Sequence, residues 1–446
     1  MNKSDSERIA TVLENKGYQP ALKIDEADLI IVNMCSVRQS AVDRVFGLTQ
    51  KLKNLKTKKQ GLKTILTGCI LKEDKKKFAK NFDLILGIKD LLNWPQLFKA
   101  PKTYHLKPET YLRIQPKYSN NFSAFIPISN GCNWGCAYCV IPFTRGPLLC
   151  RDHREILEEV KSVIKSGFKE IWLLGQNVNE YVSRINTNMN SREINFARLL
   201  KMINEIPGDF WIRFTSPNPA NFSDELIETM AKCEKVTPYL NLPVQSGDDE
   251  VLKKMNRPYT AEQYKNLVKK IRIAFKKYRK APRQNKFGTG YRLEREIAIS
   301  TDIIVGFPGE SEKQFQNTVK LFKEIKFDMA YIAKYSPRPG TAAARLKDDV
   351  SPREKEKRYK ILTEILKKTA LEKNKKYIGK EVEVLVEKAK NKFLIGKTRA
   401  YKTVKINLEP KTSGTRRAGV KPKLVGQFAK VKILNALPWG LNSKLI

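Results

Sequence analysis

Apolar and polar positions in the first ninety or so residues alternate between two regimes. Ile9, Val12 and Leu13 share one helical face behind Ser4-Asp5-Ser6-Glu7, which reads as a capping box, and Gly17 ends the pattern. Residues 28–34 then form a short unbroken apolar run, the mark of a strand buried on both faces. A helical pattern from Ser40, a strand at 64–68, another helix and a strand at 83–87 follow. Helices alternating with buried strands predict a parallel α/β sheet covered on both sides. Such a sheet ordinarily opens on a strand, so the expectation is that one strand belongs before Met1.

The alternation resumes near Phe125. Strand-like runs at 125–128, 170–179, 211–216, 238–247 and 297–309 are separated by helical patterns at 155–167 and around Leu199, Leu226 and Tyr264. That repeat predicts a partial β/α barrel with its chemistry at the C-terminal strand ends. The polar residues just past those runs are Gly175-Gln176-Asn177, Gln245-Ser246 and Gly306-Phe307-Pro308. A basic helix opens at Ser351-Pro-Arg-Glu354 and reaches about Asn374, after which short alternating strands with glycine punctuation predict a small β-barrel. The fold class is thus α/β. A parallel α/β domain spans 1–104, a partial β/α barrel 118–372 and an all-β barrel 374–440, with a linker from about Leu106 to Phe122.

Composition narrows the setting. A chain of 446 residues exceeds what one core serves. No apolar run approaches the ~18 residues of a membrane span, and the opening MNKSDSERIA lacks the apolar centre of a signal peptide. Seven cysteines, an odd number, point to a reducing compartment and metal chemistry, so a cytoplasmic protein with no membrane partner is expected. Lys+Arg 85 against Asp+Glu 46 gives +39, which favours a polyanionic partner, most simply nucleic acid. From Lys380 onward sixteen Lys and Arg face four Glu and no Asp. Phe393, Tyr401 and Phe428 lie among them, either as barrel core or as platforms for bases.

Cys132, Cys136 and Cys139 crowd one turn-rich loop, with three and then two residues between them. Zinc would want a fourth ligand nearby, and the chain holds only two histidines, His105 and His153. An iron–sulfur cube normally takes four cysteines, so three leave one iron open to a substrate. Cys35 and Cys69 fall at the C-terminal ends of two predicted strands, where open α/β sheets bind ligands. Each fits equally a small buried packing residue. Cys150 and Cys233 read as packing residues.

The loop spacing resembles the radical S-adenosylmethionine (SAM) enzymes. That resemblance implies a [4Fe–4S] cluster on Cys132, Cys136 and Cys139 whose open iron chelates SAM, with Tyr138 near the adenine. Gly175, Gln176, Gln245, Ser246 and Gly306 would line the SAM pocket. DSERI, ADLIIVNMCSVR, TGC, LLGQNVNEY, LPVQSG, MNRPYT, STDIIVGFPGES and KYSPRPGTAAA extend the likeness along nearly the whole chain. They resemble the methylthiotransferases, and most of all the branch acting on N6-isopentenyladenosine in tRNA. Ser36-Val37-Arg38 after Cys35 favours that branch over its sisters, which act on N6-threonylcarbamoyladenosine and on a ribosomal-protein aspartate.

The resemblance implies a second [4Fe–4S] cluster on Cys35 and Cys69. Its usual third cysteine belongs to a Gly-Cys-Gln-Met-Asn stretch, of which Met1-Asn2 matches only the end. A non-catalytic tRNA-binding relative is therefore an alternative. The resemblance further implies a C-terminal TRAM barrel, a tRNA anticodon stem-loop as substrate, and an electron donor of the flavodoxin or ferredoxin type; a monomer is the default expectation. Two departures stand out. Asn241 occupies a position where many relatives carry histidine, and nine basic residues with no acid between Lys269 and Lys286 look like an insertion.

Overall fold

The computed structural model describes residues 1–97, 111–186, 191–278, 283–284, 290–291, 296–408 and 424–446. The N-terminal sheet has three parallel strands in the order Leu29–Cys35, Lys63–Cys69 and Leu84–Ile85. Pairing runs in register from Leu29↔Lys63 to Cys35↔Cys69, which sets the two cysteines side by side at the sheet's C-terminal edge. Helices Asn2–Glu14, Gln39–Lys58 and Lys72–Phe78 pack around it as the alternation predicts. Tyr111 and Leu112 are buried with Ile9, Val12, Leu13 and Trp94, so part of the expected linker belongs to this core. The expected boundary at 104 lies outside the described residues.

The capping box does not form. The first helix already begins at Asn2, and Ser4 and Asp5 are fully buried inside it. Their polar groups serve the neighbouring domain instead: Ser4 Oγ donates to the Phe125 carbonyl at 3.0 Å, and Glu7 Oε1 accepts from Ser119 N and Oγ at 3.0 and 2.7 Å. Tertiary pairing of a buried polar face overrides the local end signal.

The central region is two parallel three-stranded sheets. One runs Ser123–Pro127, Glu170–Leu174, Trp211–Phe214, and the other Tyr239–Asn241, Ala298–Val305, Met329–Lys334. A parallel bridge at Ile212↔Val236 joins them into one arc around a shared apolar core, the partial barrel expected. The run at 238–247 gives only a three-residue strand and an isolated bridge at Gln245↔Ile303. Pro243 cannot donate to a ladder, and Gln245 turns to φ 73°. Met329–Lys334 carries no strand signal because it is an edge strand that buries little. Within the basic insertion Arg283–Gln284 pairs antiparallel with Gly290–Tyr291, and its other residues from 279 to 295 lie outside the described residues.

Helix Pro352–Lys375 leads to a closed five-stranded barrel of Glu381–Lys390, Phe393–Thr398, Thr403–Asn407, Phe428–Leu437 and Gly440–Leu445. The last strand escapes the pattern because one inward position is the fully buried Ser443. The helix joins barrel and core at both ends. A Cβ on Gly306 would lie 2.3 Å from Lys355 Cγ, and Asn374 Nδ2 donates to the carbonyls of Leu437 and Pro438 at 2.8 and 3.1 Å.

Tyr401 and Phe428 neither fill the barrel nor stand open to bases. Tyr401 packs on Trp172 and Tyr239, and Phe428 on Trp211, with ring centroids 4.7–5.3 Å apart. Among these rings the buried Arg213 pairs with Glu170 at 2.6 Å and donates to the carbonyls of Thr398 and Arg399 at 2.9 and 2.8 Å. Phe393 is half-buried, with the ammonium groups of Lys390 and Lys405 over its ring. Arg213→Ala strands the Glu170 carboxylate and two carbonyls, a loss of about 3–5 kcal/mol for a broken buried pair. Amide exchange at residues 398–402 should then rise about a hundredfold or more; an unchanged rate rejects Arg213 as the anchor of the barrel.

Candidate functional site

The cysteine loop is fixed by contacts that leave its thiols available. Its two ends cross at Gly131, where φ is 84° and a Cβ would lie 2.0 Å from the Pro147 carbonyl oxygen. Cys132 N donates to Gly146 O at 3.1 Å, and Gln176 Oε1 accepts from Gly131 N at 2.8 Å. Further along, Ala137 N donates to Met255 O, Ala343 N to Ala137 O, and Asn256 Nδ2 to Gly135 O.

Burial raises the Cys132 thiol and pushes that of Cys139 up to about 12, the latter opposed by a hydrogen bond from Ile141 N and reinforced by the charges of Cys136 and Cys132. Thiols so placed stay protonated until a cation offsets their charge. Among the described residues no three His, Cys, Asp or Glu side chains close to single-ion spacing, and no disulfide joins the cysteines. An iron–sulfur cube spreads its thiolates over a wider face than one zinc ion does. Three half-buried cysteines on one loop, with no disulfide among them, fit a cube that keeps one iron open.

The expected SAM contacts divide. Tyr138 is half-buried and packs beside Met255, Phe307, Tyr335 and Ala343, its hydroxyl raised far above the ordinary tyrosine range by burial. Gly175 leaves no room for a Cβ, which would lie 2.5 Å from Ser129 Oγ, and Gln176 braces the cysteine loop. Gln245 exchanges backbone hydrogen bonds with the strand beside it, its N donating to Asp302 O and its carbonyl accepting from Ile304 N. Ser246 is fully buried and accepts from Asp248 N, a turn-closing role. Gly306 N donates to Glu310, whose carboxylate pairs with the buried Arg358.

Four residues that sequence reasoning missed stand at this site. Arg257 Nη1 lies 3.4 Å from Cys136 Sγ, and its Nη2 donates to Pro243 O. Asp302 accepts from Asn241 Nδ2 at 2.9 Å; burial raises its carboxyl, against the pull of Asn241, Arg38 and Arg257. Asp302 thus feels the charges of Arg38, three residues past Cys35, and of Arg257, which touches Cys136. Arg338 reaches the other domain, where it pairs with Asp74 at 3.0 Å, and Asp74 accepts from Ser36 Oγ at 2.6 Å. Arg145 Nε lies 3.0 Å from Cys69 Sγ. Arg257 and Arg338 fall in the conspicuous segments MNRPYT and KYSPRPGTAAA, but among 85 basic residues nothing set single arginines apart.

Cys35 and Cys69 do come together. The Cys35 thiol is lowered to about 6, chiefly by a hydrogen bond from Cys69 and against its burial, while Cys69 is raised by the same bond and by burial. Cys150 and Cys233 pack against the central core as expected.

The fold and the cysteine loop define a radical SAM enzyme. Residues 126–322 match the Radical SAM superfamily, residues 375–446 the TRAM domain, and residues 1–87 the family described as Uncharacterized protein family UPF0004. A tRNA-2-methylthio-N(6)-dimethylallyladenosine synthase of Clostridium botulinum is 38% identical over 100% of this chain and 95% of its own length. One of Acetivibrio thermocellus is 36% identical over 100% of this chain and 89% of its own. The chain belongs to the family of tRNA-2-methylthio-N(6)-dimethylallyladenosine synthases. A radical SAM methyltransferase of Kitasatospora setae, solved with cobalamin and a [4Fe–4S] cluster bound, shares the fold at TM-score 0.50 and 14% identity, covering 76% of this chain and 73% of its own.

Gly131→Ala cannot keep the crossing at Pro147. In protein lacking Cys35 and Cys69, iron bound per chain after anaerobic reconstitution should fall at least severalfold; full loading would show that the loop tolerates opening.

Proposed function

We propose that the protein is a tRNA methylthiotransferase, converting N6-isopentenyladenosine next to the anticodon to its 2-methylthio derivative. The observation that carries this reading is the junction of two cysteine sets: Arg145, six residues past Cys139 on the radical-SAM loop, lies 3.0 Å from Cys69 Sγ of the other domain. Cys132, Cys136 and Cys139 would hold one [4Fe–4S] cluster with SAM, and Cys35 and Cys69 a second. Bound there, the first cluster with SAM would supply the electron, and the second, for which Cys35 and Cys69 are two of the three cysteines that the resemblance implies, the sulfur that replacement of an unactivated aromatic C–H requires.

The chain's own residues bind, orient and exclude water. Arg257 places a fixed positive charge beside Cys136, offsetting the charge that ligating thiolates acquire. Asn241 and Asp302 put a polar edge at the end of the central strands, where a base or SAM could hydrogen-bond. Tyr138, Gly175, Gln176, Gln245, Ser246 and Gly306 are assigned to the SAM pocket, Gly175 and Gln176 through the loop they shape and Ser246 through its turn. The C-terminal barrel presents lysines such as Lys390 and Lys405 around Phe393, suited to phosphates flanking an unstacked loop base.

The assigned partners are a tRNA anticodon stem-loop and an electron donor of the flavodoxin or ferredoxin type. The protein is assigned as a monomer of the cytoplasm. Among the described residues no helix is long and apolar enough to cross a membrane.

Nucleoside mass spectrometry of tRNA from a deletion strain, with and without the gene restored, tests the reading. Loss of the 2-methylthio-N6-isopentenyl signal and its return on complementation are expected. Persistence of that signal in the deletion strain rejects the proposal, and loss of the threonylcarbamoyl methylthio signal in its place moves the enzyme to the sister branch.

A further inference from the structure

The hairpin that joins Phe428–Leu437 to Gly440–Leu445 turns on Pro438 and Trp439 alone, with Leu437 paired to Gly440. Both sides of that turn are fixed. The buried Asn374 donates from Nδ2 to the carbonyls of Leu437 and Pro438, and a Cβ on Gly440 would meet the Thr403 carbonyl oxygen at 3.1 Å. Trp439 nevertheless stays 48% exposed, and among the described residues no other ring and no cation packs on its indole. A large ring held still and left uncovered is a surface prepared for another ring.

Trp439 forms one wall of an open cavity of about 100 Å³ between the terminal barrel and the central region. Tyr239, Ala298 and Asp328 line it at the starts of three central strands, the end away from the cysteine loop. Tyr331 lines it too and is 39% exposed. The charge around the cavity is positive. Lys402 pairs with Asp328 at 2.8 Å, and Lys373 holds the other oxygen of that carboxylate at 2.6 Å. Lys397, also on the wall, is the spare cation. Its ammonium donates to Thr403 Oγ1 at 2.7 Å, and among the described residues no carboxylate comes within ion-pair distance of it. Burial lowers that ammonium, against the attraction of Glu387. A half-buried cation with only a hydroxyl for company is completed by an anion from outside.

We propose that this cavity is a nucleotide site, in which a base of a bound RNA strand stacks on Trp439 beside Tyr331 and its phosphate takes Lys397. The inference rests on the tRNA reading given above and extends it. Sixteen Lys and Arg against four Glu from Lys380 onward set the site in a field that draws a polyanion. A π-face accepts any base, so the contact holds a strand without reading it. The site is remote from the chemistry. Asn374 on its wall lies about 28 Å along helix Pro352–Lys375 from Lys355, which sits under Gly306 at the strand ends. The nucleotide held here is therefore another one of the same molecule, not the reacting adenosine.

The test measures filter binding of labelled tRNA carrying N6-isopentenyladenosine to the full-length chain, and its displacement by inorganic polyphosphate, over a range of salt. Trp439→Ala should weaken tRNA binding about tenfold, with the affinity for polyphosphate and the slope of log affinity against log salt both unchanged. Trp439→Phe, which keeps a ring, should bind within about twofold of the parent. Lys397→Met should reduce the salt slope by about one. Equal tRNA affinity in Trp439→Ala and the parent overturns the site and leaves the methylthiotransferase reading standing, and so does an equal loss for tRNA and polyphosphate. Should Trp439→Ala fail to fold, Lys397→Met decides by its slope or the lack of a change in it. A parent that does not bind tRNA removes the RNA partner itself and this inference with it, a result distinct from a binding parent indifferent to Trp439.

Discussion

The structure depends on charged groups buried where the N-terminal sheet meets the central barrel. Arg145 pairs with Asp5, Arg338 with Asp74, and Glu159 gathers Arg151 at 2.6 Å, Arg8 at 3.5 Å and the Tyr118 hydroxyl at 2.7 Å. Taking such groups out of water costs about what their attraction returns, so they add little net stability. Geometry is what they supply. An apolar seam tolerates sliding, whereas a pair that loses its partner leaves an uncompensated buried charge. These pairs hold the ends of the Leu29–Cys35 and Lys63–Cys69 strands against the loop of Cys132, Cys136 and Cys139, and the proposed chemistry needs that register.

The same reasoning separates what could be read from the chain and what could not. Local signals were legible. The spacing of Cys132, Cys136 and Cys139, the unbroken apolar run before Cys35, and the repeat of helix and strand around Leu199, Leu226 and Tyr264 each carry their meaning within a few residues. Edge and mixed positions were not: Met329–Lys334 buries too little, and Gly440–Leu445 hides a serine where an apolar residue would mark the inside. Interdomain contacts were the least legible. Ser4, Asp5 and Glu7 look like a helix start because their partners, Phe125, Arg145 and Ser119, lie more than a hundred residues away.

Tyr401 and Phe428 show a related ambiguity. The alternating pattern admits them as barrel core or as outward rings, Tyr401 lying in the turn between Phe393–Thr398 and Thr403–Asn407 and Phe428 opening the next strand, and outward on an isolated barrel means solvent or ligand. Here outward means Trp172, Tyr239 and Trp211 of the next domain, with Arg213 held among the rings. A cation inside an aromatic cluster, paired to Glu170 and donating to two carbonyls across the seam, makes the terminal barrel part of the body.

Helix Pro352–Lys375 gives that union a length. Its 24 residues rise about 36 Å, from Lys355 under Gly306 at the strand ends to Asn374 beneath Leu437 and Pro438 in the barrel. A rod pinned at both ends acts as a ruler. One inserted residue would advance the barrel by about 1.5 Å and rotate it by about 100° around the rod, breaking the Arg213 seam as it turned. The distance between the surface that grips a polyanion and the pocket that reacts is therefore a property of helix length. In the proposed reaction that fixed length would set which nucleotide of a bound strand comes to the cysteines, before any contact reads which base it is.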